Sequence, residues 1–219
     1  MGTGRLADSY GGYRSRLVEQ LRANGIRDLA VLRAFGETPR HLFVPEALRG
    51  RAYEDVALPI GGGQTISQPT TQAKYLQALA LRGDERVLEV GTGSGYQAGL
   101  LSYLVPQVVS VERLPELAVA ARDALKESGI HGVTVLVGDG SLGWAPLGPY
   151  DAILVAAGSP RVPEPLLHQL KEGGRMVVPV GDGKDQELKL VTANAGQLTE
   201  RNLGRVEFVP LVGRHGFQA

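Results

Sequence analysis

The chain has no cysteine among its 219 residues. Disulfides, thiolate nucleophiles and cysteine-type zinc sites are therefore excluded together, and the composition suits a reducing compartment, so a cytoplasmic location is expected. Charge of one sign is also lacking: 23 Lys and Arg face 23 Asp and Glu. With no global positive field and no basic stripe interleaved with stacking aromatics, nucleic acid is not an expected partner. Nowhere do 18 apolar residues run together, and the opening MGTGRLADSYGGYRSRL holds no apolar stretch of signal-segment type. Neither a membrane span nor export by that route is expected. His41, His131, His168 and His215 show no metal-ligand spacing, so no metal is expected.

What is present is enough apolar residue for a real core, at 43%. The length sits between one and two average domains, and one compact domain is the expectation. Residues 1–12 are Gly-rich and polar, which reads as a flexible N-terminus. From about Tyr13 the pattern turns helical, with Leu17, Val18 and Leu21 and then Leu29, Leu32 and Phe35 on apolar stripes. Thr38 to Gln68 is rich in Pro and Gly and reads as a long ordered loop with a helical turn near Pro45–Leu48; loops of that length in compact domains tend to be functional. Residues 13–69 are thus N-terminal helices and a binding loop, set on a core formed by residues 70–219.

That core alternates strands and helices. Strands are expected at 86–90, 107–111, 133–137, 151–156 and 175–180, and helices after Pro69 and at 96–104, 115–128 and 164–170. Such alternation means βαβ units, an α/β fold with a doubly wound, mostly parallel sheet. Glu187–Thr192 and Arg205–Leu211, joined by the polar segment 194–204, read as an antiparallel pair at the sheet edge.

The sharpest local feature is Glu89-Val-Gly91-Thr-Gly93-Ser94-Gly95-Tyr96, where a strand ends and a helix begins. Glycines there permit a tight turn and close backbone approach, and the helix N-terminus offers free N–H groups. Tyr96 occupies the place where a dinucleotide fingerprint needs Gly or Ala, and no lysine is available for a triphosphate. Glu112, at the end of the next strand, suits a ribose diol, and Asp139 between Gly138 and Gly140 suits an exocyclic amine. Three strand ends so equipped fit an adenosine cofactor carrying a sulfonium in place of phosphate, with Glu89 beside its positive charge. Each residue also has a plainer reading: Asp139 as a turn residue, Glu112 as a cap or ion-pair partner, Ser67 as the cap of the helix near Pro69, Thr71 as a solvated first-turn residue, Trp144 as packing.

Taken together, these residues resemble the protein-L-isoaspartate (D-aspartate) O-methyltransferase family. The resemblance rests on Leu58-Pro-Ile-Gly-Gly-Gly-Gln-Thr-Ile-Ser67-Gln-Pro69, on Val87 to Gln97, on Ser110-Val-Glu-Arg113, on Gly138-Asp-Gly140 with Gly143-Trp144, on Pro149 to Ile153, on Gln169 to Arg175 with Pro179-Val-Gly181, and on Arg205 to Leu211. It implies a Rossmann-like class I methyltransferase using S-adenosylmethionine and releasing S-adenosylhomocysteine. It further implies cofactor contacts from Gln64, Thr65, Ile66, Ser67, Glu89, Gly91, Gly93, Ser94, Glu112, Arg113, Asp139 and Gly140. Substrate contacts are implied for Ser67, Thr71, Ala156 and Ala157, with Ser67 as the active-site serine. Isoaspartyl-containing proteins and peptides are then the partners, and a cytoplasmic monomer is the expected form. The alternatives are a class I methyltransferase acting on a small molecule, or a cofactor-binding module without catalysis.

Overall fold

The structure is a computed structural model that describes residues 9–218. Residues 1–8 of the segment expected to be a flexible end lie outside the described residues, while its last two, Gly11 and Gly12, already begin a helix. That helix, α1 (Gly11–Ala23), buries Leu17 and Leu21 and stops at Asn24 and Gly25. The second, α2 (Leu29–Glu37), is capped by Asp28, whose carboxylate accepts from the N–H groups of Ala30 and Val31 at 2.9 and 3.2 Å. Its face of Val31, Leu32, Ala34 and Phe35 is buried.

The segment expected as one long loop holds more order than that. Two 3₁₀ turns, Arg40–Phe43 and Glu46–Arg51, lead to a hairpin of β1 (Leu58–Gly61) and β2 (Gln64–Ile66). Gly62 and Gly63 have φ of +57° and +70°, the paired left-handed conformation that a two-residue hairpin turn requires. Then α3 (Pro69–Leu79) begins with proline in its first turn.

The core follows as β3 (Arg86–Val90), α4 (Tyr96–Ser102), β4 (Gln107–Glu112), α5 (Pro115–Glu127), β5 (Val133–Val137), β6 (Tyr150–Val155), α6 (Glu164–Leu167), β7 (Leu170–Asp182), β8 (Asp185–Asn194) and β9 (Gln197–Val206). The seven strands lie in the order β5-β4-β3-β6-β7-β8-β9, parallel as far as β7 and antiparallel beyond it. With β4 on one side of β3 and β6 on the other, chain direction switches at β3. Ligands of such sheets bind in the crevice at that switch point, beyond the strands' C-terminal ends.

Two expectations about the edge need correction. The polar segment 194–204 does not merely connect strands; most of it is β9, whose side chains are nearly all exposed, so no apolar alternation marks it. Beyond Val206, the stretch up to Leu211 leaves the edge and runs back over the strand ends, where Gly158 N–H donates to Val209 O at 2.8 Å and Leu211 N–H to Gly158 O at 2.7 Å. The helix expected at 164–170 is a single turn because β7 already starts at Leu170.

The sheet has two unlike faces. Val87, Val108, Leu154 and Val177 pack with α1 to α5 in the larger apolar cluster, which draws residues from Leu17 to Phe208. Leu88, Val90, Ile153, Val155 and Met176 face a smaller one, closed by Leu166 of α6, Leu211 and Trp144. Trp144 packs here, as its plainer reading had it. No helix of the described residues is long and apolar enough to cross a membrane.

Candidate active site

After β3 the chain turns sharply, with φ of +91° at Gly91, +53° at Gly93 and +86° at Gly95. A side chain at Gly95 would meet the Ala121 Cβ at 3.1 Å, so the glycine lets α5 approach the turn. Gly91 N–H donates to Val111 O at 2.9 Å. Glu112, at the end of β4, ties the turn down: its two oxygens accept from Gly93 N–H at 2.8 Å and Leu114 N–H at 2.9 Å.

This turn forms one wall of a cleft. Gly91, Gly93, Ser94, Glu112, Arg113 and Gly140 line it from the sheet side, and Gln64, Thr65, Ile66 and Ser67 face them. Ala156 and Ala157, just past β6, lie between, and the returning segment 209–212 closes one side. A second groove, lined among others by Gln68, Thr71, Lys184 and Phe208, shares Thr65, Ser67, Ala156 and Val209 with the cleft. Ser67 therefore stands where the two meet.

Three expected residues do not line the cleft itself. Thr71 lines only the second groove. Glu89 does not line the cleft: strand alternation puts it on the helix-covered face, opposite Ser110 in the register of β3 and β4. The Ser110 hydroxyl lies 2.5 Å from Glu89 Oε2, Thr92 joins it at 2.5 Å, and Oε1 has no partner. Complete burial pushes the Glu89 carboxyl up to about 8, against the pull of Ser110, with the Glu112 charge adding to the rise. Asp139 also lies off the cleft. Its carboxylate accepts from Ser141 N–H and hydroxyl at 2.9 and 2.6 Å and from Arg214 N–H at 2.8 Å. Burial works to raise its pKa, yet these hydrogen bonds hold it below the usual carboxylate range.

The cap reading of Ser67 is not what the geometry gives. The residue before α3 is Gln68, and its side chain caps nothing. Asp55 does that work from upstream, accepting from Thr70 N–H at 2.8 Å and the Thr70 hydroxyl at 2.7 Å, and from Gln68 Nε2 and Asn24 Nδ2 at 3.2 and 3.3 Å. Nor does His41 approach the cleft; its ring stacks on Tyr10 at 3.9 Å and its Nδ1 lies 2.7 Å from the Tyr53 hydroxyl.

Sequence reasoning missed Gln72 and Tyr75 of α3 and Gln97 of α4, which also line the cleft. The buried amide of Gln97 has no partner at either atom, and the Tyr75 hydroxyl faces Ser67 without closing a hydrogen bond. Burial raises the Tyr75 pKa, which keeps that hydroxyl a donor. Unmet buried polar atoms in a cleft are what a polar ligand would satisfy. They fit the amino-acid end of S-adenosylmethionine, as the lysine-free glycine turn and Glu112 fit its adenosine.

The mostly parallel sheet, its switch at β3, the glycine turn and the acidic end of β4 define a Rossmann-like class I methyltransferase. A sequence profile of the protein-L-isoaspartate(D-aspartate) O-methyltransferase family matches residues 13–216. The chain is 52% identical over 206 residues to protein-L-isoaspartate O-methyltransferase of Methanoculleus marisnigri, covering 94% of each. It is 53% identical over 211 residues to that of Methanopyrus kandleri, covering 94% of this chain and 93% of the relative. Among solved structures, a protein-L-isoaspartate O-methyltransferase superposes with a TM-score of 0.83 at 32% identity, over 93% of this chain and 67% of the other. Another, from Plasmodium falciparum in complex with S-adenosyl-L-homocysteine, gives 0.80 at 26% identity over 91% and 98%. The chain belongs to the protein-L-isoaspartate (D-aspartate) O-methyltransferase family.

Proposed function

We propose that this protein is a repair enzyme that transfers a methyl group from S-adenosylmethionine to the free carboxylate of L-isoaspartyl, and also D-aspartyl, residues in damaged proteins and peptides. The observation that carries this reading is the junction at Ser67, where a cleft suited to the cofactor opens into a groove suited to a peptide. One chain completes both, which supports action as a monomer, and a chain without cysteine suits the cytoplasm.

The cofactor, when bound, supplies a methyl group activated by a positively charged sulfur. The chain's own tasks are to bind, orient and exclude water. Glu112 holds Gly93 and Leu114 with one lone pair of each oxygen and keeps further acceptor capacity for a ribose diol. Asp139 acts through the turn it fixes, presenting Gly140 to the cleft and holding the C-terminal segment at Arg214. Ser94 and Arg113 complete that wall, and Gln64, Thr65 and Ile66 cover the amino-acid end, with Glu89 beneath the floor.

The attacking group needs no strong base, because an isoaspartyl α-carboxylate is already ionised near neutral pH. Ser67 orients it by a hydrogen bond, while Thr71, Ala156 and Ala157 bound the space of the substrate backbone. The rate gain then comes from alignment and from stripping water off the carboxylate. The methyl ester loses methanol when the next backbone nitrogen closes a succinimide, whose hydrolysis returns part of the material to normal aspartate.

The test is methyl transfer from labelled S-adenosylmethionine to one short peptide in isoaspartyl, aspartyl and asparaginyl versions. Base-labile label on the isoaspartyl version alone is expected, and Ser67→Ala should lower that rate by about 10-fold or more, the worth of a hydrogen bond to a charged group. Cofactor binding without label on any version would overturn the reading in favour of another acceptor or a module without catalysis.

A further inference from the structure

Arg40 is fully buried, and among the described residues its hydrogen bonds run to no carboxylate. Its Nε donates to Ala52 O, one terminal nitrogen to Gln72 Oε1 and the other to Ser67 O, each at 2.8 Å. Its guanidinium carbon lies 4.7 Å from the centre of the Tyr96 ring, the first residue of α4 after the glycine turn. Asp55 is the carboxylate whose charge reaches it, and Asp55 is engaged by Thr70, Gln68 and Asn24. A buried cation is costly unless it is paired. Here every acceptor is neutral, and the charge lies directly behind two residues of the cleft.

Two consequences follow from the chemistry of the guanidinium. It only donates, so the Gln72 atom facing it is the oxygen, and the Gln72 NH₂ is left for the cleft. Its planar fork spans three partners that a lysine, a point charge, cannot hold together. We propose that Arg40 is a positioning residue: it locks Ser67 and the Gln72 amide against the glycine-turn wall through Tyr96, and its unneutralised charge favours carboxylate-bearing ligands at that end of the cleft. The carboxylates in question are the α-carboxylate of the cofactor and, resting on the isoaspartyl reading above, that of the substrate.

The test compares the wild type with Arg40→Met and Arg40→Lys by calorimetry with two probes, S-adenosylhomocysteine and adenosine, which lacks the carboxylate. In Arg40→Met the preference for S-adenosylhomocysteine over adenosine should fall at least 10-fold, and in Arg40→Lys it should stay within 3-fold of wild type. With the isoaspartyl peptide, Arg40→Lys should keep KM within 3-fold while kcat falls 10-fold or more, because charge is retained and the fork is lost. Equal weakening of both probes in Arg40→Met, as a loosened fold gives, overturns the proposal. So does a preference in Arg40→Lys as poor as in Arg40→Met, or a lysine variant whose KM rises while kcat holds. If Arg40→Met does not fold, the lysine variant decides by its probe preference and its KM and kcat. A wild type that binds both probes yet methylates no isoaspartyl peptide would sink the substrate reading and leave the probe comparison for Arg40 standing.

Discussion

Where the glycine-turn wall of the cleft takes its shape from backbone, with left-handed conformations at Gly91, Gly93 and Gly95, the facing wall from Gln64 to Tyr75 is held by polar side chains reaching in from Arg40 and Asp55. On the first wall a single carboxylate, Glu112, bonds the turn, at Gly93 N–H, while Gly91 and Gly95 N–H donate to backbone carbonyls. On the second, the start of α3 and Ser67 just before it depend on partners 15 and 27 residues upstream. The first wall is therefore rigid in what it admits, as a fixed cofactor needs. The second has its anchors behind it and leaves its outer surface to the groove, as an enzyme accepting many peptide sequences needs.

The largest expected effect lies at Glu89, under the floor the walls share. Its carboxyl is pushed up to about 8 in the fold, against an unfolded value of about 4.3. Below that unfolded value both states hold the proton. Between the two values the fold keeps a proton that the unfolded chain gives up, so stability falls as pH rises, and the loss is complete above about 8. The slope approaches about 1.4 kcal/mol per pH unit. Glu89→Gln, with no proton to release, should be flatter between pH 4.5 and 8 by that amount in denaturant melts; parallel curves for the two proteins would refute the assignment.

Next in size is a break of the backbone wall. Gly95→Val adds a side chain at φ +86° facing Ala121 at 3.1 Å. Left-handed strain and overpacking together cost about 3 kcal/mol, or roughly 6–12 °C in melting temperature. Gly63→Ala is the sharper control, since its φ is +70° but nothing lies within 4 Å; about 1–2 kcal/mol is expected there. Equal losses at both sites would mean that close approach of α5 is irrelevant.

How much of this was legible in the sequence follows the same division. The run Arg86–Val90 before Gly91 declares a buried strand and a tight turn without any tertiary knowledge. The place of Glu89 was also readable, because strand alternation sets it on the face of Val87 and not with the turn. The hairpin of β1 and β2 had its signal in Gly62-Gly63, but Leu58-Pro59-Ile60 carries no clean alternation beside it. β9 left none, being exposed along nearly all of its length. No local pattern marks an arginine for burial, so Arg40 and the wall it holds became visible only when Ala52, Gln72, Ser67 and Tyr96 were seen around it.

Glu112→Gln removes the charge that should hold a ribose diol, and with it one of the two oxygens that accept from Gly93 and Leu114 N–H. Hydrogen bonds to charged groups are worth about 1.5–3 kcal/mol, so S-adenosylhomocysteine should bind about 10- to 100-fold more weakly. Unchanged affinity in calorimetry would reduce Glu112 to a structural cap.

The smallest expected effect, and the one that tests the comparison most directly, is Asp55→Asn. The change removes the charge and one acceptor from the group that receives Thr70 N–H, the Thr70 hydroxyl, Gln68 and Asn24. Loss of such a cap costs about 1 kcal/mol, felt at the start of α3 and not in the glycine turn, whose bonds run to Glu112 and Val111. The KM for an isoaspartyl peptide should therefore rise about 5-fold, in line with that figure, while the affinity for S-adenosylhomocysteine stays within about 3-fold. If both move together, the walls are one mechanical unit and Arg40 transmits every disturbance between them. If only the peptide responds, the backbone wall holds its cofactor independently of how the Ser67 wall is set.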